Sequence, residues 1–405
     1  MALTGALIDT TPLRRSPRFR RLWIGRTFSG LGGQMTLIAV LFQVWQATHS
    51  TVWTGAVAAA QATPIIAFGL FAGTLVDRVD RRKFYLGMVT GQAACAVLLA
   101  VQGFAHPLPV GGVLVLVAVQ AGFGAGAGPA SRTFIPALLP KSELAAGLAL
   151  NRISFGVTGL IGPSVGGLVL GWLGVGGCYL VDALTFGLAF HGAFGLPPLP
   201  PGDSAARPGL RGVADGLAFL ARNRVVRGAL LTDLAATVLV MPISLFPLLN
   251  AERFGNNPRT LGLFMSAIAV GGILASIFAG AFTRLARPGL VMLAGSTLWG
   301  VSLALFGISP NPWLGLACLV VAGVADTLAV VSRSTIVQTH TPDELLGRVT
   351  AAEQMVGQAG PDLGNLRGGL VAHFSSGAVS LLSGGVLCVA AVVLAGMSTP
   401  EFRRE

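Results

Sequence analysis

Charge is scarce in this chain. Asp, Glu, Lys and Arg make up 11% of its 405 residues, where a soluble protein carries about a quarter, and that shortfall excludes an ordinary water-soluble domain. Histidine (5 residues) and cysteine (4) are sparse as well. Cys95, Cys178, Cys318 and Cys388 each lie inside an apolar run with no close spacing, so they read as small core residues, neither disulfides nor metal ligands. The histidines are scattered and build no metal site. No cluster of His, Asp or Glu gathers at one membrane edge, which argues against a membrane-embedded enzyme such as a lipid-modifying transferase. Neither a metal nor a cofactor is expected.

What the chain has instead is apolar length: 53% of its residues are hydrophobic. A hydrocarbon core about 30 Å thick needs roughly 20 apolar residues per helix. Twelve such runs lie near 22–47, 52–76, 84–104, 110–130, 144–170, 174–195, 226–249, 260–283, 288–308, 312–332, 346–371 and 377–397, here spans 1 to 12. They predict an all-α membrane protein of twelve transmembrane helices. Arg14, Arg15, Arg18, Arg20 and Arg21 precede span 1 as the basic region of a signal peptide would. The run behind them is too long for one and lacks a convincing cleavage site, so span 1 is expected to be retained.

The net charge of +11 matters less than where the bases fall. Of the 27 Lys and Arg, only Arg253 and Arg259 lie in connections on the far side, and, apart from Arg227 and Arg348 in the opening residues of spans 7 and 11, only Arg26, Arg152 and Arg367 lie within spans. The others occupy the two tails and the even-numbered connections. By the positive-inside rule both termini are cytoplasmic, in a multi-pass protein of the cell membrane. Charges spread over separate short segments make nucleic acid a poor partner.

One long connection, opening with Leu196-Pro197-Pro198-Leu199-Pro200-Pro201-Gly202, divides six spans from six. The predicted organisation is a cytoplasmic tail at 1–21, a six-helix bundle at 22–195, a cytoplasmic linker at 196–225, a second six-helix bundle at 226–397 and a tail at 398–405. The two bundles look like copies. At one constant offset Ser131-Arg132 meets Ser332-Arg333, Ile135 meets Ile336, Glu143-Leu144 meets Glu344-Leu345, and Val119, Ala121 and Gly122 meet Val320, Ala322 and Gly323. Matches at one offset on several spans point to a duplicated unit. Pseudo-symmetric halves with a site between them are the mark of secondary transporters, and 56 glycines suit helices that pack closely.

Between spans 2 and 3 stands Gly73-Thr74-Leu75-Val76-Asp77-Arg78-Val79-Asp80-Arg81-Arg82-Lys83. It resembles the signature of the major facilitator superfamily, with Gly73, Asp77, Arg78, Arg81, Arg82 and Lys83 filling it without a gap. On span 5, Gly162-Pro163-Ser164-Val165-Gly166-Gly167 is similar to the motif that marks exporters of that superfamily, although Thr158 stands where a further glycine is expected. Thr48-His49-Ser50-Thr51, Ala286-Arg287-Pro288-Gly289-Leu290 and Gln338-Thr339-His340-Thr341-Pro342-Asp343-Glu344-Leu345 resemble the enterobactin (siderophore) exporter group. That resemblance implies export of a small molecule, a catecholate-type siderophore, by proton-coupled alternating access in a monomer. A multidrug efflux pump of the macrolide or tetracycline type shares parts of the pattern, and Phe28, Phe42, Trp45 and Phe123 leave an aromatic cavity open to it. Span 1 lacks the aspartate that many relatives carry, since Gly33 and Gln34 follow Gly32, and span 4 lacks the arginine of many proton antiporters.

An ionisable group inside the membrane is costly enough to demand a role. The family fold, as resemblance implies, lines its cavity with spans 1, 4, 7 and 10, which places Arg26, Asp233 and Asp326 there. Asp326, seven residues before Arg333, is expected about 10 Å inside the cytoplasmic edge, deep enough for proton coupling, and Asp233 at a similar depth. Arg26 is a candidate for holding an anion, or for snorkelling to the headgroups. Arg152 and Glu353, related by the repeat, are candidates for a gate between opposite charges. Asp182 on span 6 reads as a satisfied structural acid. Asp77 is expected to act as a latch by capping the start of span 11 near Leu345 through Arg348.

Overall fold

The computed structural model describes residues 9–76, 79–105, 108–200, 218–277 and 287–403; side chains are described throughout these except at 68–76, 403 and parts of 343–358. Every regular element among the described residues is helical. The α-helices are α1 (Thr11–Arg15), α2 (Pro17–Thr48), α3 (Thr51–Val76), α4 (Arg81–Phe104), α5 (Val110–Arg132), α6 (Phe134–Leu138) and α7 (Leu144–Phe194), then α8 (Arg224–Val240), α9 (Phe246–Arg253), α10 (Pro258–Ile277), α11 (Pro288–Ile308), α12 (Pro312–Thr339), α13 (Asp343–Phe374) and α14 (Gly377–Ser398). Nine helices among the described residues are long and apolar enough to cross a membrane. This is a multi-pass membrane protein.

Local chemistry sets most of the boundaries. Asp80 caps α4, accepting from the backbone N–H of Arg82 at 2.9 Å and of Lys83 at 3.1 Å. Asn223 caps α8, Asn311 caps α12 ahead of Pro312, and Ser376 caps α14, each satisfying N–H groups that a helix start leaves bare. α7 is two helices in one run. At about 1.5 Å per residue its 51 residues would extend about 77 Å, more than twice the hydrocarbon core. Gly174 breaks it with φ 66° and ψ −170°, a conformation that side chains rarely allow.

Two spans differ from expectation. Span 7 is not one uninterrupted helix over 226–249: α8 ends at Val240, Met241 is extended, and a 3-10 turn over Ile243–Leu245 leads into α9. Pro242 is the cause, since it pushes the residue before it out of the helical region and has no N–H to donate. Span 10 was expected to end at 332, but α12 runs on to Thr339. Arg333 therefore sits inside a helix, not in a connection between helices.

By contacts the chain forms two compact units, Met1–Val40 with Thr63–Ala205, and Leu41–Ala62 with Ala206–Glu405. In the first, α7 meets α2 through the exporter-type motif: a Cβ on Gly162 would lie 2.7 Å from Cβ of Gln34, and one on Gly166 would lie 3.0 Å from Cα of Met35. In the second, α10 and α12 touch at Gly271 and Gly323, where a Cβ on either would strike a backbone carbonyl of the other helix, that of Val320 or Ile268. Gly360, Gly364 and Gly368 form a stripe on α13 that seats the end of α8 and the turn after it, against Thr237 and Met241. Phe246, Phe264 and Phe306, all fully buried, join α9, α10 and α11 with ring centroids 5.3–5.7 Å apart. Small residues and aromatic wedges are how helices pack where water supplies no hydrophobic drive between them.

Candidate functional site

The second unit holds a buried ionic cluster. Arg333 on α12 is only 9% exposed. Its Nη1 pairs with Asp233 Oδ2 on α8, and its Nε faces Glu353 Oε1 on α13 at 3.3 Å. Ser334 Oγ donates to the same Glu353 oxygen at 3.3 Å. Asp326, two turns before Arg333 on the same helix and so on the same face, feels the charges of both Asp233 and Arg333. One guanidinium thus pairs with carboxylates from two other helices, and a third carboxylate stands two turns back on its own helix. With all three ionised the group carries a net −2, an excess that a largely water-free interior penalises.

The sequence reading singled out Asp233, Asp326 and Glu353, and the structure brings these three together. It missed their centre. Sequence pattern places Arg333 at the membrane edge, because the apolar run of span 10 stops one residue short of it. The available signal was the spacing of Asp326 and Arg333, which is two helical turns. Glu353 finds its partner in Arg333, while Arg152 is exposed on α7.

A second set of contacts in this unit joins α3 to α13 and to the break after α8. Thr51 Oγ1 donates to the Gly369 carbonyl at 2.7 Å and Thr54 Oγ1 to the Ser244 carbonyl at 2.8 Å. Ser244 in turn donates its N–H to Asn365 Oδ1 at 3.0 Å and its hydroxyl to the Asn365 carbonyl at 2.7 Å. The Arg367 guanidinium donates to the Leu239 carbonyl, one of the last of α8, which has no partner further along its own helix. These bonds replace the backbone pairing lost at Pro242 and leave Arg367 engaged with the backbone of α8.

In the first unit, Arg26 on α2 is partly buried beside Tyr85 and Arg132, and among the described residues no carboxylate acts on it. Arg81 gives its N–H to the Leu199 carbonyl at 3.0 Å. The Arg82 guanidinium donates to the Phe194 carbonyl and lies 5.6 Å from the centre of that residue's ring. The signature bases thereby fasten the start of α4 to the end of α7. Asp80, which sequence reading gave no role, is the helix cap. Pro163 lies within α7, with Gly162, Gly166 and Gly167 buried around it. Gly73 lies in α3 and Arg348 in α13, but their contacts, and Asp77 and Arg78 altogether, fall outside the described residues. So does the latch expected at Asp77.

The family profile described as transmembrane secretion effector matches residues 9–404. The chain belongs to that family, within the major facilitator superfamily. An enterobactin exporter of Shigella boydii serotype 18 is 28% identical over 397 residues, covering 96% of this chain and 93% of that protein. Among solved structures, a mutant of the nucleoside transporter NupG superposes with a TM-score of 0.77 at 14% identity, over 95% of this chain and 99% of that one. A bacterial homologue of the iron transporter ferroportin gives 0.69 at 16% identity, over 96% and 99%. The fold is that of major facilitator transporters, and this secretion-effector protein is a membrane transporter, not an enzyme.

Proposed function

We propose that this protein exports a catecholate-type siderophore from the cytoplasm, driven by protons entering in exchange. The relative at 28% identity is an enterobactin exporter aligned over nearly the whole of both chains, which supports the substrate class. The observation that carries the mechanism is the Arg333 cluster. A proton on one of its carboxylates lowers the net charge of the cluster from −2 to −1, so binding a proton relieves part of the excess negative charge around the single guanidinium. Coupling then requires that the proton-loaded and proton-free forms favour different conformations.

The architecture we propose is twelve transmembrane helices in two six-helix bundles, 22–195 and 226–397, with both tails and the linker at 196–225 in the cytoplasm. α7 supplies two of the twelve, and α3 and α13 belong to them despite the polar residues of α13. On this orientation, the bonds from Thr51 and Thr54 to Gly369 and Ser244 seal the outer side and must open for release. Arg26 on α2 offers a positive charge to an anionic ligand. The transporter is proposed to work as a monomer.

The test of the substrate is direct. Proteoliposomes loaded with unlabelled enterobactin take up labelled enterobactin by counterflow, and deletion of the gene lowers siderophore in the medium under iron limitation. Unchanged secretion together with greater sensitivity to macrolides or tetracyclines would overturn the siderophore reading in favour of a drug pump.

A further inference from the structure

A second acid, in the first unit, is buried with no counter-ion among the described residues. Asp182 lies in the later half of α7 and is 0% exposed. Its Oδ2 accepts from the Thr36 hydroxyl of α2 at 2.8 Å and from the Gln120 amide of α5 at 3.2 Å. Its Oδ1 is buried with no hydrogen-bond partner, and it sits in the notch left by Gly32 of α2, where a Cβ would lie 2.5 Å from it. Thr185 Oγ1 shares that notch but donates to the Asp182 carbonyl.

Among the described residues, no group balances its charge. α2 faces it with Gly32 and Thr36, α5 with Gln120, and its own helix with Thr185; Cys178 and Tyr179, one turn earlier, are buried. Of the charged residues on these helices, Arg18, Arg20, Arg21, Arg26, Arg132, Arg152 and His191, and of Arg81, Arg82 and Lys83 on α4, none acts electrostatically on it. An ionised carboxylate here would stand desolvated, with two neutral donors on one oxygen and none on the other. That is the arrangement of a carboxylic acid instead: Oδ2 is its carbonyl, holding both donors, and Oδ1 carries the hydrogen.

We infer that Asp182 is a proton-binding site in its own right, holding a proton on Oδ1 while its neutral carboxyl ties α2, α5 and α7 together. The sequence reading took this acid as a satisfied structural one, and it is satisfied only on one side. Asp182 lies outside the Arg333 cluster, and its protonation does not depend on what is transported or on whether that cluster couples to protons.

The experiment is infrared spectroscopy of the full-length protein in lipid vesicles at neutral pH, comparing wild type with Asp182→Asn and Thr36→Val. Wild type is expected to show a protonated-carboxyl C=O stretch that Asp182→Asn lacks. Thr36→Val keeps the acid but removes a donor to its carbonyl oxygen, so the same band should move to higher frequency without losing intensity. Superimposable wild-type and Asp182→Asn spectra in the protonated-carboxyl region would overturn the assignment. If Asp182→Asn fails to fold, the Thr36→Val comparison stands alone, and an unmoved band would overturn it equally.

Discussion

At the scale of the residue, Arg333 organises the site, and its removal should be felt more in stability than any surface charge. Substituting Met for it would leave Asp233 and Glu353 as buried acids without a counter-ion, a change that typically costs about 3–5 kcal/mol. Thermal unfolding in detergent should show Arg333→Met well below wild type, and adding Asp233→Asn to it should restore part of the loss. If the double variant is no more stable than the single one, the ion pair is not what holds α8 to α12. Arg333→Lys should also impair transport, because a single ammonium cannot address carboxylates on two sides as the guanidinium does through Nη1 and Nε. The acids of this cluster were legible in the sequence because ionisable residues inside apolar runs stand out. Arg333 was not, because a base near the end of a run is the same signal as a base just outside it.

At the scale of the element, capping and close contact make separate predictions. Asp80 accepts from two N–H groups at the start of α4, so Asp80→Ala should cost about 1 kcal/mol. Asp80→Asn, which keeps the acceptor and drops the charge, should cost little. Equal losses in unfolding measurements on the two variants would mean that the charge matters and the cap does not. At Gly271 a Cβ would strike the Val320 carbonyl and lie 2.8 Å from the Val324 nitrogen. Gly271→Ala should therefore force α10 from α12 and lower stability by about 1–3 kcal/mol, whereas Gly87→Ala on α4, with open space around it, should be silent. The helices themselves were readable from apolar length, and Asp80 ahead of α4 carried a start signal that could have been read. The interruption at Pro242 was concealed because the apolar run continues across it through Ile243, Leu245 and Phe246. The overrun of α12 to Thr339 was concealed for the opposite reason: Ser332, Arg333 and Ser334 end the apolar run while the backbone stays helical.

At the scale of the whole molecule, the account is a transporter whose second unit carries a carboxylate cluster around one arginine and whose first unit carries Asp182. The family and its fold were visible in the sequence, because the signature at Gly73 to Lys83 and the motif at Gly162 to Gly167 are spaced by local geometry that any single chain must obey. How three helices converge on Arg333 is set by packing between distant segments, through the glycines of α10, α12 and α13, and pattern alone does not reveal it. The central claim is that this cluster moves protons in exchange for substrate. It is tested most directly by measuring enterobactin-dependent proton flux in proteoliposomes that carry a pH gradient, with wild type beside Asp326→Asn. The account predicts that wild type moves protons against substrate, and that Asp326→Asn keeps counterflow of labelled enterobactin while losing both the proton flux and gradient-driven accumulation. Gradient-driven accumulation by Asp326→Asn at the wild-type rate would contradict it.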